Sequence, residues 1–300
     1  MTQVDEFQAF TVLRCPECTL EFCDPLQYDR EDYDRAYRAD AEEFYVPSLG
    51  WLEQADEGMP EARWMLSGAQ FSALRWLQSN LPGASVLDIG CGAGWFIARA
   101  RQLGFSVCGV EIGSAPVALL LARGFEVHCG SQESVPPGYE PEVVTLFEVL
   151  EHLPKPAEFV SRIRRRFPAA ALILSVPSPR RWTKAGSHRD FSDYPPNHLT
   201  RWNRDSLRHV LTSAGYSRAL ISSPAPSALE VASVSLRGLA QSWFAEMPAT
   251  LSQALPGTPL RRLHREVTVR KLKYAPAALF SLALRLAGWT GLSLLAIAHP

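Results

Sequence analysis

Two acids that bracket a run of glycines form the first group in this chain that could do chemistry. Residues 86–96 read VLDIGCGAGWF: an apolar strand ends in Asp88, and Gly90, Gly92 and Gly94 follow as G-x-G-x-G at the opening of a helix. Glycines there let the backbone turn sharply and approach a ligand with no Cβ in the way. The helix start offers free N–H groups to an anion. A second apolar stretch, VCGVEIG, ends in Glu111, where a carboxylate can accept both hydroxyls of a ribose. Two carboxylates facing one ligand argue against a pyrophosphate, which Asp88 would repel. They suit a molecule with an ammonium, a sulfonium and one small carboxylate. The plainer alternative is a tight strand–helix turn that holds no ligand.

A second group is Glu148-Val-Leu-Glu151-His152, placed after a strand end, where open α/β sheets bind ligands. Its i, i+3, i+4 spacing would let one helical turn gather the three polar side chains. Glu and His can hold a divalent cation or take a proton; they can also simply line a pocket. Residues 187–202, SHRDFSDYPPNHLTRW, are dense in His and aromatics. His188, Asp190, Tyr194, His198 and Trp202 could cover an acceptor from there, or form a lid in which few of them touch it. Cys15-Pro-Glu-Cys18 is half of a zinc ribbon. Tetrahedral zinc needs four ligands, so a metal-free remnant is the expectation.

These residues need a scaffold, and the pattern supplies one. Strand-like runs at 85–89, 106–110, 125–128, 142–147 and 170–176 alternate with helix-like runs at 93–103, 115–123 and 156–167. Such alternation predicts a parallel sheet with helices on both faces. A helix over 64–81 precedes it. Residues 177–202 read as a long loop, 203–214 as a helix capped by Asn203, 216–222 as a sixth strand and 292–298 as a last one. Residues 227–285 read as mostly helical. The apolar tail from Tyr274 is cut by Arg285, too short a run for a spanning helix, which needs roughly 20 apolar residues.

Composition narrows the class. The 300 residues are 47% hydrophobic and 20% charged, enough for a sizeable core, with a net charge of -1. Residues 1–64 look irregular and acidic, with sixteen Asp/Glu against five Lys/Arg, so the remainder is mildly basic. The two parts could dock on each other, or the basic part could meet an acidic substrate, a membrane surface or nucleic acid. The six cysteines form no disulfide framework, and no secretory signal opens the chain, so the cytoplasm is expected. Arg261, Arg262, Arg265, Arg270, Lys271 and Lys273 precede the apolar tail. That order fits either peripheral contact with an anionic membrane or a solvated helix face.

Taken together, these motifs resemble the class I S-adenosylmethionine-dependent methyltransferases, near the group that includes the ubiquinone-biosynthesis O-methyltransferases. The glycine loop and Glu111 resemble the family's first two motifs. VVTLFEVLEHLPKPAEFV (143–160) and LILSVPSP (172–179) resemble the motifs of the fourth and fifth strands. NHLTRWNRDSLRHVLTSAGY (197–216) resembles the family's segment beyond the fifth strand. The resemblance implies a doubly wound, seven-stranded, mostly parallel sheet whose last strand inserts antiparallel. It implies an N-terminal extension over 1–64, a core over 65–226, a helical insertion over 227–288 and the last strand within 289–300. It also implies S-adenosyl-L-methionine as cofactor, held by Asp88, Gly90, Cys91, Gly92, Gly94, Glu111, Ile112 and Phe147. The acceptor is expected to be a small molecule, methylated at oxygen, with His152 and His198 as candidate bases. Magnesium enters only because Glu148, Glu151 and His152 match relatives that bind it; no metal ligand is assigned. No nucleic-acid partner is expected, since the Asn/Asp-Pro-Pro-aromatic motif is absent after the fourth strand. The rivals are a nicotinamide-dependent dehydrogenase, disfavoured by Asp88 and the glycine spacing, and a cofactor-binding module without activity.

Overall fold

The strands at the centre of the fold are apolar on both faces, which suits a sheet covered by helices on each side. In the computed structural model the described residues are 1–7, 10–26, 59, 62, 66–181, 194–195, 197–224, 283, 286 and 291–300. Four strands form the parallel heart: β4 (Ser85–Ile89), β5 (Ser106–Glu111), β7 (Val143–Phe147) and β8 (Ala171–Pro177), with the short β6 (Val127–Cys129) at one edge. At the other edge stand β10 (Arg218–Ser222) and β11 (Ser293–His299). The order is β10-β11-β8-β7-β4-β5-β6. β11 runs antiparallel to both β8 and β10, as the resemblance implies.

Helices cover both faces. α1 (Gly68–Asn80), α2 (Trp95–Gln102) and α3 (Ser114–Ala122) bury Leu77, Ile97 and Leu120 in one core. α4 (Pro156–Arg166) and α5 (Arg204–Ser213) bury Ile163 and Leu211 in the other. Asn203 caps α5 as expected, accepting from the N–H groups of Asp205 and Ser206. The strand order reverses between β4 and β7, so the crevice for a ligand opens at their carboxyl ends.

Three expectations need correction. The helix expected from Trp64 has its N-cap at Ser67, in a capping box with Gln70. The third and sixth strands begin two residues late for one shared reason. Phe125 N–H bonds Leu120 O and Tyr216 N–H bonds Leu211 O, each after a left-handed glycine, so both residues still belong to a helix end. The N-terminal segment is not irregular throughout. β1 (Thr2–Phe7), β2 (Phe10–Arg14), β3 (Glu21–Asp24) and β9 (Thr200–Arg201) form a separate four-stranded antiparallel sheet. β9 lies in the stretch read as a loop.

Acidic front and basic body do dock there. Arg201 lies 3.2 Å from Asp5 and 3.8 Å from Glu21, and the Tyr194 hydroxyl donates to Asp5 at 2.7 Å. Among the described residues no helix is long and apolar enough to cross a membrane. The expected helical stretch 227–285, with its basic cluster, lies outside the described residues apart from Ala283.

Candidate active site at the carboxyl ends of the central strands

The glycine loop is stitched to its neighbour strand. Gly90 and Cys91 N–H both donate to Val110 O, at 2.7 and 3.1 Å. Glu111 clamps the loop: its Oε2 accepts from Gly92 N–H at 2.8 Å and its Oε1 from Gly113 N–H at 2.9 Å. Each carboxylate oxygen keeps a second lone pair for a ligand. Burial pushes the Glu111 carboxyl up, and the N–H bonds oppose that. Asp88 is buried behind the loop and accepts from Thr145 Oγ1 at 2.6 Å. Burial, helped by the charge of Glu111 and opposed by the Thr145 bond, lifts its pKa to about 7.

Gly90 is required at its place. Its φ is +76°, and a Cβ there would meet Val149 Cγ2 at 2.6 Å. At Gly92 a Cβ would meet nothing within 4 Å, so the loop faces open space on that side. Ile112, beside Glu111, is partly exposed. Cys91 and Phe147 are buried. The Cys91 sulfur packs towards Gly109, and the Phe147 ring lies tilted against Phe96 in the core, 4.6 Å between centroids. Cys91 thus offers the loop its backbone, and Phe147 supports it.

Two buried polar atoms that the sequence did not single out stand near this cradle, Trp95 directly after Gly94 and Gln132 two residues beyond Gly130, whose N–H donates to Glu111 O at 2.9 Å. Trp95 Nε1, at the first residue of α2, and Gln132 Oε1, just after β6, have no hydrogen-bond partner. A buried polar group without a partner is costly, roughly 1–3 kcal/mol. Orphans at a helix start and just beyond a strand end, beside a glycine loop, fit a polar, elongated ligand, so the residues present fit a nucleoside amino acid such as S-adenosylmethionine.

The second group folds in an unexpected way. Glu148 takes a φ of 56°, left-handed and sparsely populated for a residue with a Cβ. The turn directs its carboxyl to β8, where Ser175 Oγ donates to Oε1 at 2.6 Å. Leu150–His152 then form a single 3-10 turn. The donor atoms that gather within 4.8 Å are those of Glu151, His152 and His198, in place of the Glu148, Glu151 and His152 that helical spacing suggested. Two nitrogens and one oxygen suit a transition ion better than magnesium, which prefers oxygen and water.

The two imidazoles meet edge to face, 4.9 Å between centroids, and each Nε2 lies 4.0 Å from Glu151 Oε1. His152 Nδ1 pairs with Asn197 O at 2.6 Å, which assigns the ring proton to Nδ1. Burial, reinforced by His198, brings the His152 pKa down to about 4, against the bond to Asn197. This sets a pH dependence of stability. The folded chain resists protonation that the unfolded chain accepts near 6.5. His152 costs nothing above pH 6.5 and destabilises progressively as pH falls to 4, by up to about 3 kcal/mol. Urea midpoints at pH 7 and pH 5 should therefore differ less in His152→Gln than in the parent chain; equal differences would contradict the shift.

A cavity of about 120 Å³ opens between the end of β8 and the small sheet. Its walls include Pro177, Arg181, His198, Trp202 and Glu21. Of the aromatic loop, His198 and Trp202 reach this cavity, whereas Tyr194 turns to Asp5. His188 and Asp190 lie outside the described residues. Arg181, buried at the cavity wall, was not anticipated, because a lone Arg in a Pro-rich loop carries no spacing signal.

Comparison with known proteins agrees with this fold. The family described as "Methyltransferase domain" matches residues 63–219, just over half of the chain. A ubiquinone biosynthesis O-methyltransferase of Pseudomonas paraeruginosa (strain DSM 24068 / PA7) is 30% identical over 164 residues, covering 44% of this chain and 68% of that protein. The Pseudomonas syringae pv. tomato protein of the same name is 26% identical over 198 residues, covering 56% and 82%. A solved phosphoethanolamine N-methyltransferase 2 of Haemonchus contortus, in complex with S-adenosyl-L-methionine, shares the fold at a TM-score of 0.53. It is 16% identical, over 89% of this chain and 59% of that one. The chain therefore belongs to the class I S-adenosylmethionine-dependent methyltransferases and is similar to the ubiquinone O-methyltransferase group.

Proposed function

We propose that this chain methylates a hydroxyl or phenol oxygen of a small molecule, with His198 as the base. The observation that carries this is the His198 imidazole in the wall of the cavity at the end of β8, with Glu151 Oε1 at 4.0 Å. When bound, S-adenosylmethionine supplies an electrophilic methyl on a sulfonium sulfur. The chain has then to hold the acceptor in line and remove one proton. Gly92, Ile112 and Glu111 would hold the cofactor, with Asp88 behind the loop. His198 takes the hydroxyl proton, and the Glu151 carboxyl stabilises the imidazolium that forms. His152, with a pKa near 4, is too weak a base for a phenol and serves to orient the pair. The two ubiquinone-biosynthesis relatives support oxygen as the methylated atom. The contact with an anionic membrane surface, expected of 227–285, belongs to the same proposal.

The test is to incubate the full chain with methyl-labelled S-adenosylmethionine and fractionated small-molecule extracts. An acceptor that gains one labelled methyl on oxygen, in step with S-adenosylhomocysteine release, is the expected result. Tight cofactor binding without turnover on any fraction would favour a binding module instead.

A further inference from the structure

A further set of donor side chains stands at the β6 edge of the large sheet, outside both the glycine loop and the cavity beyond β8. In the parallel register of β5 and β6, Gly109 pairs with Val127 and Val110 with His128. Side chains alternate along a strand. Val127 packs into one core and Cys108 into the other. Glu126 and His128, on either side of Val127, therefore share the face of Cys108.

The geometry of the set is close. The Cys108 sulfur, a Glu126 carboxylate oxygen and a His128 ring nitrogen all lie within 4.8 Å of one another. His128 Nε2 stands 3.8 Å from Glu126 Oε1. That nitrogen is buried and takes part in no hydrogen bond, although the ring that carries it is partly exposed. A plain hydrogen-bond network would have given it a partner; a cation between it, the carboxylate and the sulfur gives it one. Donors around a tetrahedral zinc ion stand roughly 3.3–3.8 Å apart. The His128–Glu126 pair already meets that spacing, and the exposed Glu126 side chain is free to close the rest. Sulfur and nitrogen in the set select zinc over magnesium or calcium, which prefer oxygen.

We propose that Cys108, Glu126 and His128 bind one zinc ion, with water in the fourth position. The exposed Glu126 gives the ion a path from solvent. The ion ties β6, a three-residue strand at the edge of the sheet, to β5. Burial and then the Glu126 charge, against the Tyr139 hydroxyl, push the Cys108 thiol up to about 12, so zinc binds by displacing its proton.

The test titrates cobalt(II), then zinc, into the full chain after chelation and dialysis. Cobalt should give the charge-transfer band of thiolate ligation, saturating at one ion per chain. The group of Glu151, His152 and His198 has no sulfur and cannot produce that band. The band should persist in the double variant Cys15→Ser, Cys18→Ser, whose thiols lie in the turn between β2 and β3. Because Cys108 is buried, the two ligands nearer the surface carry the rest of the test. His128→Gln and Glu126→Gln should each weaken zinc binding by about a hundredfold, since even a residue behind a ligand costs about 10–100-fold. Zinc should also raise the thermal midpoint of the parent more than that of His128→Gln. Absence of the band, its loss in the Cys15, Cys18 variant, or zinc affinity unaltered in both His128→Gln and Glu126→Gln would each overturn the proposal.

Discussion

His198→Ala lowers kcat by about 10²–10⁴-fold, the usual contribution of a positioned general base, while S-adenosylhomocysteine affinity stays within about threefold of the parent. The two readouts separate because His198 lines the cavity beyond β8, whereas the glycine loop and Glu111 lie at the ends of β4 and β5. The variant removes the proposed proton acceptor and leaves the Glu111 clamp intact. Calorimetry with S-adenosylhomocysteine and initial rates at saturating cofactor measure the pair. Loss of turnover together with loss of cofactor affinity would show that His198 supports the fold of the site. A folded variant that keeps more than a tenth of its turnover would remove the base assignment. His152→Gln serves as the contrast, since the amide can keep the donor to Asn197 O. Its turnover should fall much less.

What the sequence made legible is local. β4, the glycine loop and α2 succeed one another without interruption, and each boundary is marked by a residue with few options, Gly90, Gly94 or Gly104. Asn203 announces α5 because a cap is read within three residues. The antiparallel place of β11 came from the family resemblance, since an apolar run looks the same in either direction. The N-terminal sheet stayed hidden because its signal is thin. Val12 and Cys23 are its buried apolar residues, and charged side chains such as Glu6, Arg14 and Glu21 interrupt the strands. Its fourth strand, β9, comes from the far side of the core and pairs through Glu21 and Phe22. Charge asymmetry was the one usable hint, and Asp5 with Arg201 is where it lands.

The candidate site divides in the same way. Glu111 was legible because a strand end fixes where its carboxyl points. Glu148 was not, because spacing alone reads Glu148-x-x-Glu151-His152 as a helical turn. The left-handed φ at Glu148 breaks that turn, and the reason for it, the bond from Ser175, lies on β8. Likewise Trp95 and Gln132 look like ordinary core and loop residues until their neighbours are known. An unpartnered atom is a property of packing, and no residue type announces it.

Glu111→Ala weakens S-adenosylhomocysteine binding by about tenfold to a hundredfold, the loss expected for charge-assisted hydrogen bonds of about 1.5–3 kcal/mol. The size alone does not say why, because Glu111 has two roles. It clamps Gly92 and Gly113 through their N–H groups, and it is placed to accept ribose hydroxyls. A ligand pair divides these roles. The parent chain should bind adenosine more tightly than its 2′,3′-dideoxy analogue, because the analogue leaves a buried carboxylate without its hydroxyl donors. In Glu111→Ala that preference should vanish, with both ligands bound equally weakly. If instead the variant weakens both ligands by the same factor and keeps the preference, Glu111 acts only as the clamp of the loop. The ribose must then be recognised elsewhere, and Gln132, buried at the end of β6 with a free carbonyl, is where the search would turn.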